Sequence, residues 1–192
     1  RECDGNPLCG PNDIVFDAQG GFWFTDHGKT RERSRDRTGV FYATIDGNHI
    51  SEAIFPLEGP NGIGLSPDEN TLYVAETPTG RVWAYSLKGP GEIDHNERPR
   101  MLAQLGNYHM FDSLAVDAAG NVCVATLITG GITIHSADGL SATLVEMPDV
   151  LTTNICFGGD DLQTAFITLS TTGKLVSCDW ETPGLPLNFL NT

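Results

Sequence analysis

The chain has 192 residues, of which 40% are hydrophobic and 19% charged, a composition typical of a folded globular protein and not of a disordered one. Its 11 basic and 25 acidic residues give a net charge of −14, which argues against a nucleic-acid-binding protein. No apolar run is long enough for a membrane span, and 22 glycines with 11 prolines favour many short strands joined by turns.

Four segments repeat one plan: a polar residue, an alternating apolar run, a turn rich in Asp, Gly or Asn, and a second apolar run. They are Pro11–Asp26, Pro60–Thr77, Phe111–Thr126 and Thr152–Ser170. A glycine opens a third run in each unit, at Gly39, Gly80, Gly130 and Gly173, and weaker fourth runs follow at Ile50–Phe55, Arg100–Leu105, Ala142–Met147 and Leu185–Phe189. A unit of about 40–50 residues with four such runs predicts the four-stranded antiparallel blade of an all-β propeller. A β-sandwich with evenly spaced strands is the alternative.

The four units fill the chain, so we interpret residues 1–192 as one propeller domain. Its blades are expected at about 11–59, 60–110, 111–151 and 152–192, and the first ten residues are expected to end a preceding blade. The five cysteines show no C-x-x-C spacing, and Cys123 and Cys156 lie in apolar runs. We interpret them as buried free thiols, which suits a reducing compartment, with a Cys3–Cys9 disulfide as the alternative. No signal peptide is visible, so we expect a cytoplasmic protein, although the chain starts at Arg1 and the natural N-terminus is expected to lie upstream.

The residue that opens each first strand lies at one mouth of a propeller's central tunnel, where side chains from successive blades converge. These anchor residues are Asn12, Asn61, Asp112 and Thr153. Amide and carboxylate oxygens are the ligands that Ca²⁺ and Mg²⁺ prefer, so the first three predict a metal site. The alternative is that such residues only cap turns, the role we assign to Asp17, Asp68, Asp117 and Asp160 at the opposite end of the first strands.

Five stretches, in order, resemble the SMP-30/gluconolactonase/LRE-like family: GPNDIVFDAQGGFWFTD, GPNGIGLSPDENTLYVAET, DSLAVDAAGNVCVAT, TNICFGGDDL and WETPGLPLNF. The resemblance covers nearly the whole chain. It implies a six-bladed propeller, four of whose blades are present here, with one catalytic divalent metal at the axis. Members of the family hydrolyse sugar lactones, and relatives hydrolyse organophosphates.

Matched motif by motif, the resemblance implies that Asn61 and Asp112 bind the metal and that Asp112 also serves as the base. Asn12 would orient the substrate or join the metal ligands. The family's further ligand, a glutamate in its first blade, has no counterpart, since Glu2 is too close to Asn12. Two departures stand out: Gly10 replaces an arginine found in some sugar-lactone hydrolases, and Ser113 replaces the more usual glycine.

The first unit carries an inserted basic loop between its second and third strands. The anchor-to-glycine separation is 27 residues from Asn12 to Gly39 but 19 from Asn61 to Gly80. The loop, His27–Thr38, contains Lys29, Arg31, Arg33, Arg35 and Arg37. It is either a solvated loop partly neutralised by Glu32 and Asp36, or a cationic lip that attracts anionic substrates. His27 and His109 are expected at the rim, where a histidine can act as acid, base or substrate ligand.

We therefore expect a divalent-metal-dependent hydrolase that opens a sugar or related lactone through a metal-activated water. Ca²⁺ is the favoured ion, with Mg²⁺, Mn²⁺ or Zn²⁺ as alternatives. Two other functions stay open: phosphotriester hydrolysis at the same site, and a non-catalytic propeller that binds a small molecule or a partner. The expected partner is a small-molecule lactone, without nucleic acid or membrane, and the sequence does not determine the oligomeric state.

Overall fold

The structure, a computed structural model, describes residues 2–190 and has four antiparallel β-sheets arranged as propeller blades. A short hairpin precedes them, β1 (Glu2–Cys3) and β2 (Asn6–Pro7). Blade 1 consists of β3 (Pro11–Phe16), β4 (Gly21–Asp26), β5 (Thr38–Thr44) and β6 (Ile50–Leu57). Blade 2 consists of β7 (Pro60–Leu65), β8 (Thr71–Glu76), β9 (Arg81–Gly89), and two short strands that both pair with β9, β10 (Glu92–Ile93) and β11 (Arg100–Met101).

Blade 3 has four strands and blade 4 has three. They are β12 (Met110–Val116), β13 (Val122–Leu127), β14 (Gly131–His135) and β15 (Ala142–Glu146), followed by β16 (Thr152–Gly158), β17 (Thr164–Leu169) and β18 (Lys174–Asp179). The predicted all-β propeller is confirmed, with the first three strands of every unit in place. Within residues 2–190 there is no helix of the length and hydrophobicity that a membrane crossing needs.

The prediction of a fourth strand at Leu185–Phe189 was wrong. This segment joins no sheet; it crosses the end of the axis and contacts other blades. The Leu185 N–H donates to the Val116 carbonyl at 3.0 Å, and the Asn188 amide donates to the Phe16 carbonyl at 3.1 Å. Two prolines explain the difference, because Pro183 and Pro186 have no N–H to donate to a strand ladder.

The hydrophobic core lies between the blades. Trp23 of blade 1 packs with Leu72 and Val74 of blade 2, and similar clusters join blade 2 to blade 3 and blade 3 to blade 4. Successive side chains of a strand point to opposite faces of its sheet, so a strand between two other blades is buried on both faces. All six residues of β7 are buried for this reason.

Blades 1 and 4 each have a face that no described blade covers. Ile14 of β3 is 49% exposed and Leu175 of β18 is 67% exposed. Cys156, whose apolar surroundings in the sequence predict burial, is exposed on β16. That prediction was wrong, because the apolar run is buried on only one face. All five cysteines are free thiols.

Aspartates close the turns at the far ends of the first strands, as predicted for Asp17, Asp68 and Asp117. Each carboxylate accepts hydrogen bonds from backbone N–H groups two to four residues later. In blade 4 the prediction of Asp160 was wrong, since Asp161 accepts the equivalent bond from the Gln163 N–H. The strand β16 extends to Gly158, and this moves the turn along the chain.

A buried histidine lies in the core of blade 3. His135 is 0% exposed, neither of its ring nitrogens has a hydrogen-bond partner, and its ring packs edge-on against Phe111. Burial lowers the pKa of His135 from 6.5 to about 4, an effect that the backbone of Ala103 partly offsets. The core therefore holds a neutral imidazole at neutral pH.

Replacing His135 with Phe should make stability less dependent on pH in mildly acidic solution. Below pH 6.5 the unfolded chain binds a proton at His135 that the folded chain excludes until about pH 4, so the wild type loses up to about 3 kcal/mol across this interval. Above pH 6.5 both states are neutral and nothing is lost. Denaturant unfolding over this pH range should show the wild-type stability falling relative to the variant. Parallel curves would contradict the assignment.

Candidate active site

The first strands of the four blades, β3, β7, β12 and β16, lie side by side in that order and line the axis. Between them is a cavity of about 280 Å³. Asp13 and Asn154 are part of its wall, and the segment from Leu185 to Asn188 lines it as well. The anchor residues themselves do not line this cavity; Asp13 and Asn154, which follow the anchors of blades 1 and 4, are the wall residues next to them.

A β-bulge interrupts each first strand at its anchor residue. In blade 1 the pairing shifts between Pro11 and Ile14, and in blade 2 between Pro60 and Ile63. The same shift occurs in blades 3 and 4. A bulge places two residues opposite one and redirects their side chains. Two consecutive residues in the first strands of blades 1 to 3, and Thr153 alone in blade 4, are thus freed from regular alternation at the mouth of the axis.

Gly62 allows β7 and β12 to approach closely beside their bulges. A Cβ atom at Gly62 would lie 2.7 Å from the Asp112 carbonyl oxygen and 2.7 Å from the Leu114 nitrogen. Only a residue without a side chain fits between these two backbones. Asn61, next to Gly62, is close enough to Asp112 to lower the pKa of its carboxyl.

Asn61 is held firmly, yet it keeps an unpaired acceptor. Its side chain is 4% exposed, its amide nitrogen donates to Thr77 Oγ1 at 3.1 Å, and its backbone carbonyl accepts from Thr25 Oγ1 at 2.6 Å. Its Oδ1 atom is buried without any hydrogen-bond partner. An unsatisfied buried acceptor lowers the stability of a protein by about 1–3 kcal/mol. A cation or a hydrogen-bond donor bound to this oxygen would remove that penalty.

Two carboxylates share the mouth with Asn61. Burial raises the pKa of Asp13 to about 6; the Asp112 carboxylate adds to this, and N–H groups of Ile14, Ile63 and Leu114 oppose it. Burial also raises the pKa of Asp112, against the hydrogen bonds from Asn61 and the Ser113 N–H. Asp13 reaches across to blade 2, where it accepts from the Ile63 N–H at 3.3 Å. Two partly desolvated negative charges therefore face one another.

This donor set fits a hard divalent cation. Among residues 2–190 no three His, Cys, Asp or Glu side chains converge as a metal site, so the oxygens come from an amide and two carboxylates. A cation would satisfy the Asn61 oxygen and relieve the repulsion between Asp13 and Asp112, and oxygen ligands of this kind suit Ca²⁺ or Mg²⁺.

The family model described as the SMP-30/gluconolactonase/LRE-like region matches residues 1–171. The chain belongs to this family. A gluconolactonase of Zymomonas mobilis is 33% identical over 187 residues, which cover 86% of this chain and 49% of that protein. The diisopropyl-fluorophosphatase of Loligo vulgaris is 26% identical over 200 residues, with 96% and 62% covered.

A solved structure shares the fold of this family member. The calcium-binding protein regucalcin of Agrobacterium tumefaciens superposes with a TM-score of 0.80 at 20% identity, over 95% of this chain and 65% of that one. The chain spans about half the length of the curated relatives it matches.

The other predicted residues of this family member have differing surroundings. Asn12 is exposed at the mouth, on the first bulge. Thr153 shares a hydrogen bond of 2.9 Å with Thr168. His109 is engaged locally: Nε2 lies 2.7 Å from the Gly106 carbonyl and Nδ1 lies 2.8 Å from Thr129 Oγ1. Both nitrogens of His109 therefore have hydrogen-bond partners within the rim.

His27 lies on the rim between blades 1 and 2. Its Nε2 accepts from Arg35 Nη2 at 3.1 Å, while its Nδ1 is buried without a hydrogen-bond partner. Burial and the Arg35 guanidinium lower the pKa of His27, although the Pro60 backbone opposes them. His27 is therefore neutral at neutral pH and lies beside the residue that precedes Asn61.

Asp13 was not predicted from the sequence. Regular alternation predicts one residue of each first strand at the axis, whereas the bulge turns two residues of β3 toward the mouth. The sequence does distinguish this residue. The residue after the anchor is an acid only in the first unit, Asp13, and is Gly62, Ser113 and Asn154 in the others. An acid at the residue after an anchor is a hint that the pair acts together.

Gly62→Ala should destabilise the protein by about 1–3 kcal/mol, because the new methyl group would overlap the backbone of β12. Gly89→Ala is the matched control in the same blade, since a Cβ there meets nothing within 4 Å, and it should change stability by less than about 0.5 kcal/mol. Denaturant unfolding of both variants measures the difference. Equal effects would show that the strands do not approach as described.

Proposed function

We propose that this family member is a divalent-metal-dependent hydrolase that opens a sugar or related lactone. The observation that carries the proposal is the unpartnered Oδ1 atom of Asn61 beside the carboxylates of Asp13 and Asp112. The gluconolactonase relative supports a lactone substrate. Ca²⁺ is the favoured ion, which agrees with the fold shared with a calcium-binding protein; Mg²⁺, Mn²⁺ and Zn²⁺ are alternatives.

In this proposal Asn61 and Asp112 hold the metal, and Asn12 joins them or binds the substrate. A bound divalent cation would polarise the lactone carbonyl and lower the pKa of water. Asp112 accepts the proton of the attacking water. Asn12 donates a hydrogen bond to the substrate from its exposed position. Asp13 adds negative charge and ties β3 to β7.

We further propose that residues 1–192 form one propeller domain of a cytoplasmic protein. The continuous cores between successive blades support a single domain. The five free thiols support a reducing compartment. His27 and His109 stay proposed substrate-binding residues at the rim, and His109 would exchange a bond to Gly106 or Thr129 for one to the substrate.

Asp112→Asn and Asn61→Ala should each abolish EDTA-sensitive hydrolysis of glucono-1,5-lactone and weaken Ca²⁺ binding at least tenfold by calorimetry. The first change removes a charge, and the second removes an oxygen donor, from the same cation. Because relatives are longer, the assays should use the complete gene product. Glu146→Gln, at an exposed position of β15, is the matched control and should behave as wild type.

Normal Ca²⁺ affinity in either variant would overturn the axial metal site. If EDTA leaves lactone hydrolysis unchanged, the proposed metal dependence is overturned, whereas the proposed hydrolase activity is supported. Retained Ca²⁺ binding without hydrolysis of any lactone would favour a non-catalytic binding propeller.

Phosphotriester hydrolysis is the second candidate, favoured by the similarity to the diisopropyl-fluorophosphatase of Loligo vulgaris. We expect kcat/KM for glucono-1,5-lactone to exceed that for diisopropyl fluorophosphate, because the gluconolactonase relative is 33% identical to this chain and the fluorophosphatase 26%. Parallel assays of the two substrates with the same preparation and the same Ca²⁺ concentration measure the ratio. If kcat/KM for the lactone is lower than that for diisopropyl fluorophosphate, phosphotriester hydrolysis becomes the favoured function.

A further inference from the structure

Two cations flank the mouth of the candidate site. The Lys29 ammonium lies 3.5 Å from where a Cβ atom of Gly10 would be, and the Arg35 guanidinium fills the space where a Cβ atom of Gly59 would be. Gly10 and Gly59 each stand two residues before an anchor, Asn12 and Asn61 respectively. The basic loop thus folds back so that both charges lie over the starts of β3 and β7.

Neither cation has a carboxylate partner among residues 2–190, whereas neighbouring arginines of the loop do. Arg31 pairs with Asp36, and Arg37 pairs with Glu58 at 3.2 Å. Arg35 donates only to the imidazole of His27, and its Nε atom is buried without a partner. The loop therefore pairs Arg31 and Arg37 with carboxylates, leaves Arg33 exposed to solvent, and leaves Lys29 and Arg35 without a carboxylate partner in the described part of the chain where they border the mouth.

The buried carboxylate of Asp26, at the end of β4, already accepts three hydrogen bonds. Asp26 accepts hydrogen bonds from the backbone N–H groups of Cys9, Gly10 and Gly28, at 2.7, 2.5 and 3.2 Å. These bonds fix the chain that leads into β3 and direct the carboxylate away from an ion pair with the loop. His27 accepts a hydrogen bond from Arg35 through its neutral imidazole and so supplies no negative charge to compensate it.

We propose that Lys29 and Arg35 form a subsite for an anionic substituent of the substrate, a carboxylate, sulfonate or phosphate carried by the lactone. This inference rests on the proposed lactonase function. A guanidinium and an ammonium on one side of the mouth bind such oxygens through charge-assisted hydrogen bonds. In a protein of net charge −14, a local positive rim also guides an anion to an otherwise repulsive surface.

The test compares glucono-1,5-lactone with its 6-phosphate in the complete gene product. The double variant Lys29→Gln/Arg35→Gln should lower the preference for the phosphorylated lactone, the ratio of the two kcat/KM values, at least tenfold and mainly through KM. Lys29→Arg/Arg35→Lys keeps both charges and should keep most of the preference. Arg33→Gln/Arg98→Gln removes two exposed arginines and should leave the ratio unchanged, which controls for net charge.

Calorimetry with 6-phosphogluconate separates this inference from the proposed function. Suppose that no lactone is hydrolysed, but that this anion binds the wild type and not Lys29→Gln/Arg35→Gln. The anion subsite is then supported and the proposed lactonase function is overturned. If the lactones are hydrolysed and the double variant keeps the wild-type preference, the subsite is overturned and the lactonase stands. Equal loss of preference in Arg33→Gln/Arg98→Gln would also overturn it, because the effect would then come from overall charge.

Discussion

The candidate site depends on how closely the first strands of neighbouring blades approach at the mouth of the axis. At Gly62 the backbone of β12 occupies the space that a side chain of β7 would need. This contact places Asn61 close enough to Asp112 to lower the pKa of its carboxyl. The bulge in β3 then lets Asp13 reach the backbone of β7. With a side chain between the strands, the three groups would be separate surface residues and not one set of oxygens.

Charge is divided between the axis and the rim. At the axis, burial disfavours the ionised forms of Asp13 and Asp112, and the amide oxygen of Asn61 has no donor. A bound cation would stabilise both carboxylates in their ionised forms and would pair with the amide oxygen. At the rim, Lys29 and Arg35 border the same mouth without carboxylate partners. A substrate that carries a negative substituent would therefore find a positive group at each end of its path.

The blade framework holds these groups in place through bonds at both ends of the first strands. At the far end, turn aspartates such as Asp17 close the hairpins. At the mouth, acids at the ends of second strands capture the backbone that leads into the first strands: Asp26 binds the N–H groups of Cys9 and Gly10, and Glu76 binds that of Glu58. The anchors are thus fixed by bonds from outside their own strands, which limits their movement when a ligand binds.

The sequence by itself determined the four-unit repeat, the strands and three anchor positions, Asn12, Asn61 and Asp112, because alternation and turn residues are local properties of the chain. Only the tertiary structure decided which groups meet. It added Asp13 through a bulge, and it turned Leu185–Phe189 from an expected strand into a segment across the axis. It also selected which cations of the basic loop stay unpaired. These outcomes depend on contacts between residues distant in the sequence, and no local pattern encodes them.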